Sequence, residues 1–487
     1  MTRLRDGAST TFRSLRIRNY RLYFIGQLIS VSGTWMQSVA QAWLVVHYLA
    51  PPHEAGIDLG ITTALQFLPL LLFGTWGGLV ADRVDKRRLL FATQTSAGAL
   101  ALVLGVLVSV GSGPAGIAKL WEVYLLALML GFVNLFDNPA RQTFVIEMVG
   151  ERDLPNAVSL NSILMNGARV IGPAIGGLLI ATVGLALCFF VNAASYGAVI
   201  LALLLMRRSE LLKSKPVERA KGQLRAGLSY AWHTADLRDP LLLVFVVGLL
   251  TYNFTVLLPL LAQTTFHGGA GAFSALTSLM AGGAVIGGLV VASRGRPSIK
   301  RLSGVGIVFG LFVGLLALAP TLGLALVVVV PMGALSIAFI ATANATIQLR
   351  VDPSMRGRVM ALYAIGFLGT APIGAPLVGW ISETSSPRTA LLVGATAAVV
   401  GSALTMLHRR RTPRGLRPEP ETPRSPGAPE DARRLEPVSG SASSGTVRAG
   451  RFGLLRQTQD ALANDVPLDL GRSSPDRLRA REEESGL

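Results

Sequence analysis

Cysteine, histidine and charge are all scarce in this chain. Among 487 residues there are one cysteine, Cys188, and five histidines, which excludes an intramolecular disulfide framework and leaves no metal-ligand spacing. Charged residues make up 15% of the chain, whereas soluble domains carry roughly 25%. Glycine runs such as Gly282 and Gly283 lie in apolar segments and lack the Gly-Lys-Ser/Thr ending of a phosphate-binding loop. Since no Ser/His/Asp or Cys/His arrangement occurs either, we expect no enzyme, no cofactor and no metal.

Long apolar segments, in contrast, recur along the chain, and 51% of its residues are hydrophobic. A helix needs about 20 apolar residues to cross a bilayer, and twelve segments approach or exceed that length. They cover residues 22–49, 57–81, 89–111, 120–138, 158–182, 186–206, 241–265, 272–293, 302–320, 322–346, 357–382 and 389–407. This pattern predicts an all-α polytopic membrane protein with twelve transmembrane helices.

The positive charge lies on one side of the predicted membrane. All but three of the 45 Lys and Arg residues fall in the termini, or in loops that an even number of spans places on the same face. The exceptions are Lys119, Arg169 and Arg388. Because positive residues gather on the cytoplasmic face, we predict a multi-pass protein of the inner (plasma) membrane with both termini cytoplasmic. The net charge of +17 is then a topology signal, and we expect no nucleic-acid partner.

Three short strings recur in order at offsets near half the length of the apolar region. Each match alone is weak, but the three together indicate two parallel, pseudo-symmetric six-helix bundles with a substrate site between them. The strings pair residues 77–80 with 287–290, Asn138 and Gln142 with Asn344 and Gln348, and 173–176 with 376–379.

The predicted organisation has five parts. These are a cytoplasmic N-terminal segment 1–21, an N-terminal six-helix bundle 22–206, a cytoplasmic linker 207–240, a C-terminal six-helix bundle 241–408 and a tail 409–487. Within the linker, Leu224, Leu228, Ala231 and Trp232 recur at helical spacing, which predicts a short amphipathic helix on the membrane surface. The tail is rich in Pro, Ser, Gly, Arg and Glu without apolar periodicity, so we predict that it is disordered.

A charged turn separates the second and third apolar segments. Its residues resemble the loop between helices 2 and 3 of the major facilitator superfamily, whose pattern is Gly-x-Leu-Ala-Asp-Arg-x-Gly-Arg-Lys. Asp85 stands where the superfamily usually has Gly, and Val80 replaces Leu. The resemblance implies a gating role. The matching residues that carry it are Gly78, Asp82, Arg83, Lys86 and Arg87.

In the superfamily the acid of this loop faces the start of helix 11 and steadies one conformation. Here helix 11 is expected to begin after Asp352, with Ser354 as its N-cap. An anion near a helix N-terminus is stabilised by about 0.3–1 kcal/mol, which biases two conformations without locking either. The alternative interpretation is that Asp82 belongs to a merely basic, positive-inside loop.

The fifth apolar segment contains a Gly-Pro string. Gly172, Pro173, Gly176 and Gly177 resemble the core of the superfamily's antiporter motif, although Ala168 replaces its earlier glycine. The resemblance implies an exporter driven by inward proton flow. Alternatively, such residues serve only helix packing, because glycines let neighbouring helices approach closely and proline kinks a helix.

Polar residues form stripes on two of the predicted helices. The stripe on the first helix has five residues at i, i+3, i+7, i+10 and i+14, and we expect it to line a central cavity. Its members are Gln27, Ser30, Thr34, Gln37 and Gln41. Alternatively, it hydrogen-bonds neighbouring helices for about 0.6 kcal/mol per contact. On the fifth helix Asn166 and Arg169 share one face, and an arginine within the membrane normally faces water or a partner. Arg169 is therefore expected to bind an anionic substrate group, to help gate a proton acceptor, or to form a structural pair.

Carboxylates that could carry a proton are rare in the apolar segments. Asp137 is the best placed, with Glu147 behind it, and burial favours the neutral form of such a group. However, Asp137 lies within reach of Arg141, so a permanent salt bridge is an equal alternative.

Residues 138–182, together with Gly33 to Gln37, are similar to one branch of the superfamily, that of enterobactin exporters and macrolide efflux permeases. The resemblance implies secondary active export of a small amphipathic molecule, such as an antibiotic or siderophore, by proton antiport through alternating access. The expected partners are the lipid bilayer, the substrate and protons, and we expect a monomer. The alternatives are an importer or facilitator of the same fold, or a non-transporting membrane receptor or scaffold.

Overall fold

The computed structural model describes residues 12–51, 53–111, 113–212, 223–293 and 297–411, and within these ranges the chain is helical and forms no strand. Twelve spans follow one another there. They are α1, Arg18–Leu44; α2, Ala55–Arg83; α3, Lys86–Ser109; α4, 120–149; α5, 151–182; α6, Leu185–Leu205; α7, Ala235–Thr265; α8, Ala270–Ser293; α9, Ile299–Leu318; α10, Leu322–Gln348; α11, Arg356–Thr384; and α12, Pro387–Arg411.

Ten helical stretches among the described residues are long and apolar enough to cross a membrane. One of them, Leu120–Thr182, contains both α4 and α5, so the ten stretches hold eleven spans. The twelfth span is α1, which carries the polar stripe. Large apolar side chains such as Leu178, Leu289 and Trp121 are more than half exposed, as helices that meet lipid tails require. The prediction of a twelve-helix, all-α membrane fold is therefore confirmed.

The polar residues between α4 and α5 are helical, which the apolar pattern did not predict. Within Leu120–Thr182 only Gly150 leaves helical geometry, with φ 70° and ψ 174°. Because glycine adopts positive φ without steric cost, the chain changes direction at this single residue. The predicted windows ended at 138 and resumed at 158, so both helices extend further than their apolar parts.

Two spans are broken near their middle. In α7 the helix stops at Leu250 and resumes at Phe254, and in α11 it stops at Leu368 and resumes at Ala371. Discontinuous helices at membrane depth are tolerated where they face a cavity or protein, and in transporters they mark binding regions.

The predicted surface helix in the linker is present as Gln223–His233, with Leu228 and Trp232 exposed and Ala231 buried. The predictions for the tail, for the first eleven residues and for the Leu224 side chain lie outside what the structure describes.

Glycines show that the two halves are built alike. A Cβ added at Gly77 of α2 would lie 2.6 Å from the Leu135 carbonyl oxygen of α4, so the two backbones touch there. In the second half, a Cβ added at Gly287 of α8 would lie even closer to the Ala334 carbonyl oxygen of α10. Gly77 and Gly287 are matched positions of the sequence repeat. The predicted pseudo-symmetry is thus confirmed by equivalent contacts.

The closest backbone contacts between the halves lie toward one end of the molecule. The end that holds the turn 84–85 and the segment 350–355 is called the basic end, and the other is called the opposite end. At the opposite end a Cβ added at Gly60 of α2 would lie 2.7 Å from the Ala375 carbonyl oxygen of α11, and Gly177 of α5 lies against Ser274 of α8. The first segment of α11 packs mainly within its own half. The halves are therefore held together at the opposite end.

Neighbouring glycines of α8 provide a test of this packing. We expect Gly283→Val to destabilise the protein by about 1–3 kcal/mol, because overpacking forces the backbones apart. Its Cβ would overlap the Val330 carbonyl oxygen and lie 2.8 Å from the carbonyl carbon. Gly282→Val is the control, since a Cβ there meets nothing within 4 Å. Thermal unfolding of purified protein in detergent measures both, and equal stabilities would contradict the packing role.

Candidate functional site

The charged turn at the basic end is short and capped. The C-terminal residue of α2 is Arg83, which is exposed, while Asp82 and Gly78 are half-buried in its last turns. Asp85 is the N-cap of α3, and its carboxylate accepts a hydrogen bond of 2.9 Å from the Arg88 amide. The residue that departs from the superfamily pattern therefore has a local structural purpose, because Asp is among the preferred N-cap residues.

The basic side chains of this turn point into the first half. The Lys86 ammonium donates to the Glu147 carboxylate at 2.6 Å, and the two side chains are 7% and 13% exposed. The Arg87 guanidinium donates at 2.7 Å to the carbonyl oxygen of Leu203 in the last turn of α6. A cation there satisfies a free carbonyl and complements the negative end of the helix dipole.

Asp137 sits in a buried hydrogen-bond network. One carboxylate oxygen accepts from the Thr93 hydroxyl and the Gln94 amide, each at 2.7 Å. The other accepts from the Arg141 guanidinium, which also donates to the Gln27 side chain on α1. In this conformation Asp137 and Glu147 are both ion-paired, so the salt-bridge alternative describes their present state. Their part in proton coupling stays a prediction.

The stripe on α1 faces other helices of the first half. Gln27, Ser30 and Gln37 are buried, whereas Gln41 is half-buried and Thr34 is exposed. Three contacts tie the stripe to α4 and α6. Beside the Arg141 bond to Gln27, the Asn192 amide donates to Gln37 at 2.6 Å, and the hydroxyls of Thr34 and Tyr196 lie 3.3 Å apart. Interhelical bonding is therefore what the stripe does in this conformation, and cavity lining stays a prediction.

The glycines of the Gly-Pro string place α5 against two helices at once. A Cβ added at Gly172 would lie 2.6 Å from Trp35 Cβ, and one at Gly176 would lie 3.2 Å from the Met36 carbonyl oxygen, both on α1. Gly177 faces Ser274 of α8 instead. Pro173 is buried within this stretch. The string therefore connects the first half to the second through α5.

Arg169 lies on α5 about two turns before Gly177. Its guanidinium carbon is 4.7 Å from the centroid of the Trp35 ring, a cation–π contact. Its Nε is buried and has no hydrogen-bond partner. The side chain is within electrostatic range of Tyr252, at the break of α7 in the other half. Asn166, by contrast, donates to the Ser162 carbonyl oxygen at 2.8 Å, a local bond on α5.

Further buried polar atoms without partners lie nearby in the second half. They are Gln263 Oε1 on α7, and Ser274 Oγ and Ser278 Oγ on α8. The sequence analysis did not single out these residues, although Ser274 and Ser278 are four apart on one helical face. Buried polar groups are normally hydrogen-bonded, so these atoms and Arg169 Nε are exceptions in this conformation.

The start of α11 differs from the prediction. The helix begins at Arg356 after Met355, and no side chain caps it, so the prediction of Ser354 as N-cap is wrong. Ser354 instead donates to the Asp352 carboxylate from its amide at 2.9 Å and from its hydroxyl at 2.6 Å. These two bonds hold the pKa of Asp352 below its usual value. The Asp352 carboxylate accepts both bonds from a residue two positions along the chain, and such local bonds stabilise a turn at an aspartate.

A cleft of about 590 Å³ lies between α8, α9 and α10. Its walls are mostly apolar, with Ile286, Val290 and Val305 among them, and Arg301 and Thr342 supply its polar groups. None of the predicted cavity residues lines it.

The chain has twelve spans in two related halves that are joined toward one end, and two of the spans, α7 and α11, are broken near their middle. This is the architecture of the major facilitator superfamily. A family model described as "transmembrane secretion effector" matches residues 9–436. The chain therefore belongs to this family of the major facilitator superfamily, whose members are transporters.

Similar proteins include transporters and exporters of small molecules. The chain is 27% identical over 397 residues to the enterobactin exporter EntS of Shigella flexneri, covering 80% of the chain and 91% of that protein. It is also 27% identical to the multidrug efflux pump Tap of Mycobacterium tuberculosis (strain ATCC 25618 / H37Rv), covering 76% and 88%. The staphyloferrin A transporter of Staphylococcus aureus (strain NCTC 8325 / PS 47) is 27% identical over 56% of the chain.

The staphyloferrin A match spans 66% of that relative's own length, slightly less than two thirds. Among solved structures, the nucleoside transporter NupG superposes with a TM-score of 0.63 over 82% of the chain and 100% of NupG. At 14% identity, this likeness shows the fold alone. The predicted resemblance to the enterobactin exporter branch is confirmed, and the chain is a multi-pass member of this transporter family.

The Lys86–Glu147 pair predicts strong energetic coupling. Removing one partner of a buried pair leaves an uncompensated charge, so we expect Lys86→Met and Glu147→Gln each to lower stability by about 3–5 kcal/mol. The double variant should lose much less than the sum. Thermal unfolding of the wild type, the two single variants and the double variant measures this coupling as a double-mutant cycle. Arg207 and Glu210, 64% and 40% exposed, are the control pair and should couple by at most about 1 kcal/mol. Additive losses at the buried pair would contradict the prediction.

Proposed function

We propose that the protein is a secondary active exporter of a small amphipathic molecule, driven by proton antiport through alternating access. The observation that carries the proposal is the arrangement around α5. One side of this helix packs on α1 through Gly172, its other side meets α8 through Gly177, and Arg169 lies between the halves with an unpartnered Nε. A charged side chain at membrane depth normally faces water or a partner, so the Nε that lacks a hydrogen bond makes Arg169 a candidate to bind a ligand.

The basic end is proposed to face the cytoplasm, with both termini, because positive residues are retained there. In this conformation the halves are joined at the opposite end, so a substrate would enter from the cytoplasm. Transport out of the cell, rather than import, is supported by the efflux pump and the enterobactin exporter among the relatives. These relatives export several drugs and enterobactin, as their names state, and both kinds of substrate suit a site that combines Trp35, Tyr252 and a cation.

The substrate is proposed to bind between α5, α7 and α8. Arg169 would meet an anionic or electron-rich group, while Ser278 and Gln263 would hydrogen-bond its polar edge. Binding is then favoured because atoms that are otherwise buried without partners gain them. The two members of the α1 stripe that are not buried, Thr34 and Gln41, would line the same space once the halves move.

We expect Arg169→Ala to abolish export while the protein remains inserted, because the variant loses the only charge proposed to meet the substrate. The measurement is efflux of antibiotics, dyes and siderophores from a host stripped of its own exporters, with and without an uncoupler. Each charge moved through 100 mV is worth about 2.3 kcal/mol, or roughly fifty-fold accumulation.

Arg152→Ala, at an exposed position on the same helix, is the control for Arg169→Ala and should export normally. Normal accumulation ratios in Arg169→Ala would remove this residue from the site. Uptake in place of efflux would favour an importer of the same fold, and transport that ignores the uncoupler would contradict proton antiport.

At the basic end, Asp82 is proposed to contact α11 when that end closes. We expect Asp82→Asn to slow turnover with little loss of substrate affinity, because the substitution weakens the contact proposed for the closed basic end and leaves the substrate site unchanged. Asp85→Asn is the matched control, since asparagine preserves the α3 cap and removes the same charge. Turnover and substrate binding measured on reconstituted protein separate the two effects. A large affinity change with normal turnover would contradict a gating role.

A further inference from the structure

The cleft between α8, α9 and α10 has no part in the proposed function. Its volume of about 590 Å³ falls within the range of about 300–1,000 Å³ that is usual for ligand sites. Both α8 and α9 pack on α10, so α10 forms the floor of the cleft and the other two helices form its walls. None of the residues proposed to bind the transported substrate lines it.

The cleft lies on the surface that faces lipid. Beside it α8 exposes Ile286 and Leu289, and α9 exposes Val308 and Leu311. Exposed apolar side chains of this size on a membrane span meet the lipid tails, which are as apolar as leucine. Because both walls belong to such helices, the cleft is open to an acyl chain from the bilayer.

The polar groups of the cleft lie toward the basic end. Arg301 is in the first turn of α9, and a Cβ added at Gly306 of the same helix would lie 3.1 Å from the Phe339 ring of α10. With that contact as reference, Thr342 of α10 lies about 3 Å deeper than Arg301 at 1.5 Å per residue. Leu335 lies about 10 Å deeper again. A charge, a hydroxyl and an apolar wall therefore follow one another inward, in the order of the phosphate, the esters and the acyl chains of a phospholipid.

Thr342 indicates a ligand independently of the charge. Its side chain is 2% exposed and lines the cleft, and its hydroxyl oxygen has no hydrogen-bond partner. Buried hydroxyls are normally hydrogen-bonded. An ester carbonyl oxygen at this depth would accept from Thr342, whereas a plain hydrocarbon chain would not.

The charge at the mouth of the cleft favours an anion. Residues 294–301 contain four bases and no acid, whereas the matched turn of the first half contains Asp82 and Asp85. Arg301 also lies at the positive end of the α9 dipole, in the first turn after the N-cap Ser298. A guanidinium has five N–H donors, so Arg301 can bind a phosphate in addition to its contacts within the protein. The same bases repel a lipid head group that carries its own cation.

We propose that this cleft binds one anionic phospholipid from the leaflet at the basic end. Its phosphate contacts Arg301, the Thr342 hydroxyl donates to an ester carbonyl oxygen, and one acyl chain lies between α8 and α9 along Leu335. Basic pockets between membrane helices are a known type of site for anionic head groups. The proposal needs neither a direction of transport nor proton coupling, so it stands apart from the proposed function. Because the lipid contacts three helices of the second half, it stabilises that half as one body.

The test measures lipid binding to the purified, delipidated full chain in detergent by native mass spectrometry. The probes are dioleoyl phosphatidylglycerol, which is anionic, and dioleoyl phosphatidylcholine, which has the same chains and no net charge. We expect one phosphatidylglycerol to bind about ten-fold more tightly than phosphatidylcholine, because its charge-assisted bond is not opposed by a head-group cation. Equal affinities for the two lipids would overturn the proposal.

Charge variants test the contact with the phosphate. Arg301→Gln should lower the affinity for phosphatidylglycerol about ten-fold, and Arg301→Lys should retain most of it. Lys300→Gln is the matched control, because it removes an exposed base from the same turn that does not line the cleft. It should bind like the wild type. If Lys300→Gln loses as much affinity as Arg301→Gln, the attraction belongs to the turn as a whole and the site is wrong.

Cleft variants test the position of the chain and of the ester. Val305→Phe fills the cleft and should weaken the binding of both lipids, whereas Val308→Phe, at an exposed position one turn further along α9, should not. Thr342→Val should weaken both lipids as well. Thr346→Val is its control, since that hydroxyl is also buried without a partner but does not line the cleft. Normal phosphatidylglycerol binding by Val305→Phe would overturn the proposal.

Two other occupants are separated by the same measurement. Glycerol phosphate, the head group without chains, should not displace the lipid at equal concentration, because it leaves the apolar walls uncovered. Displacement would show a site for a free anion instead. The mass also reports the oligomeric state, so a dimer that Val305→Phe dissociates would assign the cleft to a second copy of the chain. Either result would overturn the proposal, and neither depends on an export assay.

Discussion

Close backbone contact through glycine is the constraint on which the rest of this structure depends. Lipid tails are as apolar as the helices, so burial of apolar surface gives little reason for helices to associate, and packing must do so. Gly77 and Gly287 bring helices together within each half, whereas Gly60 and Gly177 bring the halves together. The contacts within a half are spread along its helices, but those between halves lie at the opposite end. Each half is therefore a rigid body, and the joint between them is local.

Interactions of charged side chains also fall into two groups, those within one half and those between the halves. The buried pairs Lys86–Glu147 and Arg141–Asp137 have both partners in the first half, so they strengthen one rigid body and do not change when the halves move. The carboxylate of Glu383, in contrast, bonds an amide of the other half. Under alternating access, an interaction of this second kind would be made and broken in each cycle, so it is a place where a conformational equilibrium can be biased.

Periodicity and repeats predicted the fold because they depend on residues close in the chain. Twelve spans, the surface helix in the linker and the pseudo-symmetry follow from such patterns. Most site contacts do not. Gln27 meets Arg141 across 114 residues, and Asp58 meets Tyr124 across 66, and neither pairing leaves a mark on spacing. Ser354 failed as a cap because a nearer acceptor, Asp352, bound its amide and hydroxyl. Local hydrogen bonds compete with helix caps, and sequence alone does not rank them.

The helix α2 has one contact with α11 near its start and a second proposed near its end. Gly60 packs on Ala375, whereas Asp82 is proposed to contact the start of α11. Gly60 and Asp82 are about 33 Å apart at 1.5 Å per residue, and α11 runs antiparallel to α2. If each half moves as a rigid body, tilting α2 toward α11 at one end separates the two helices at the other. Contact at Gly60 would then exclude the contact proposed for Asp82. This exclusion is the physical requirement of alternating access, because a transporter closed at neither end would leak the gradient that drives it.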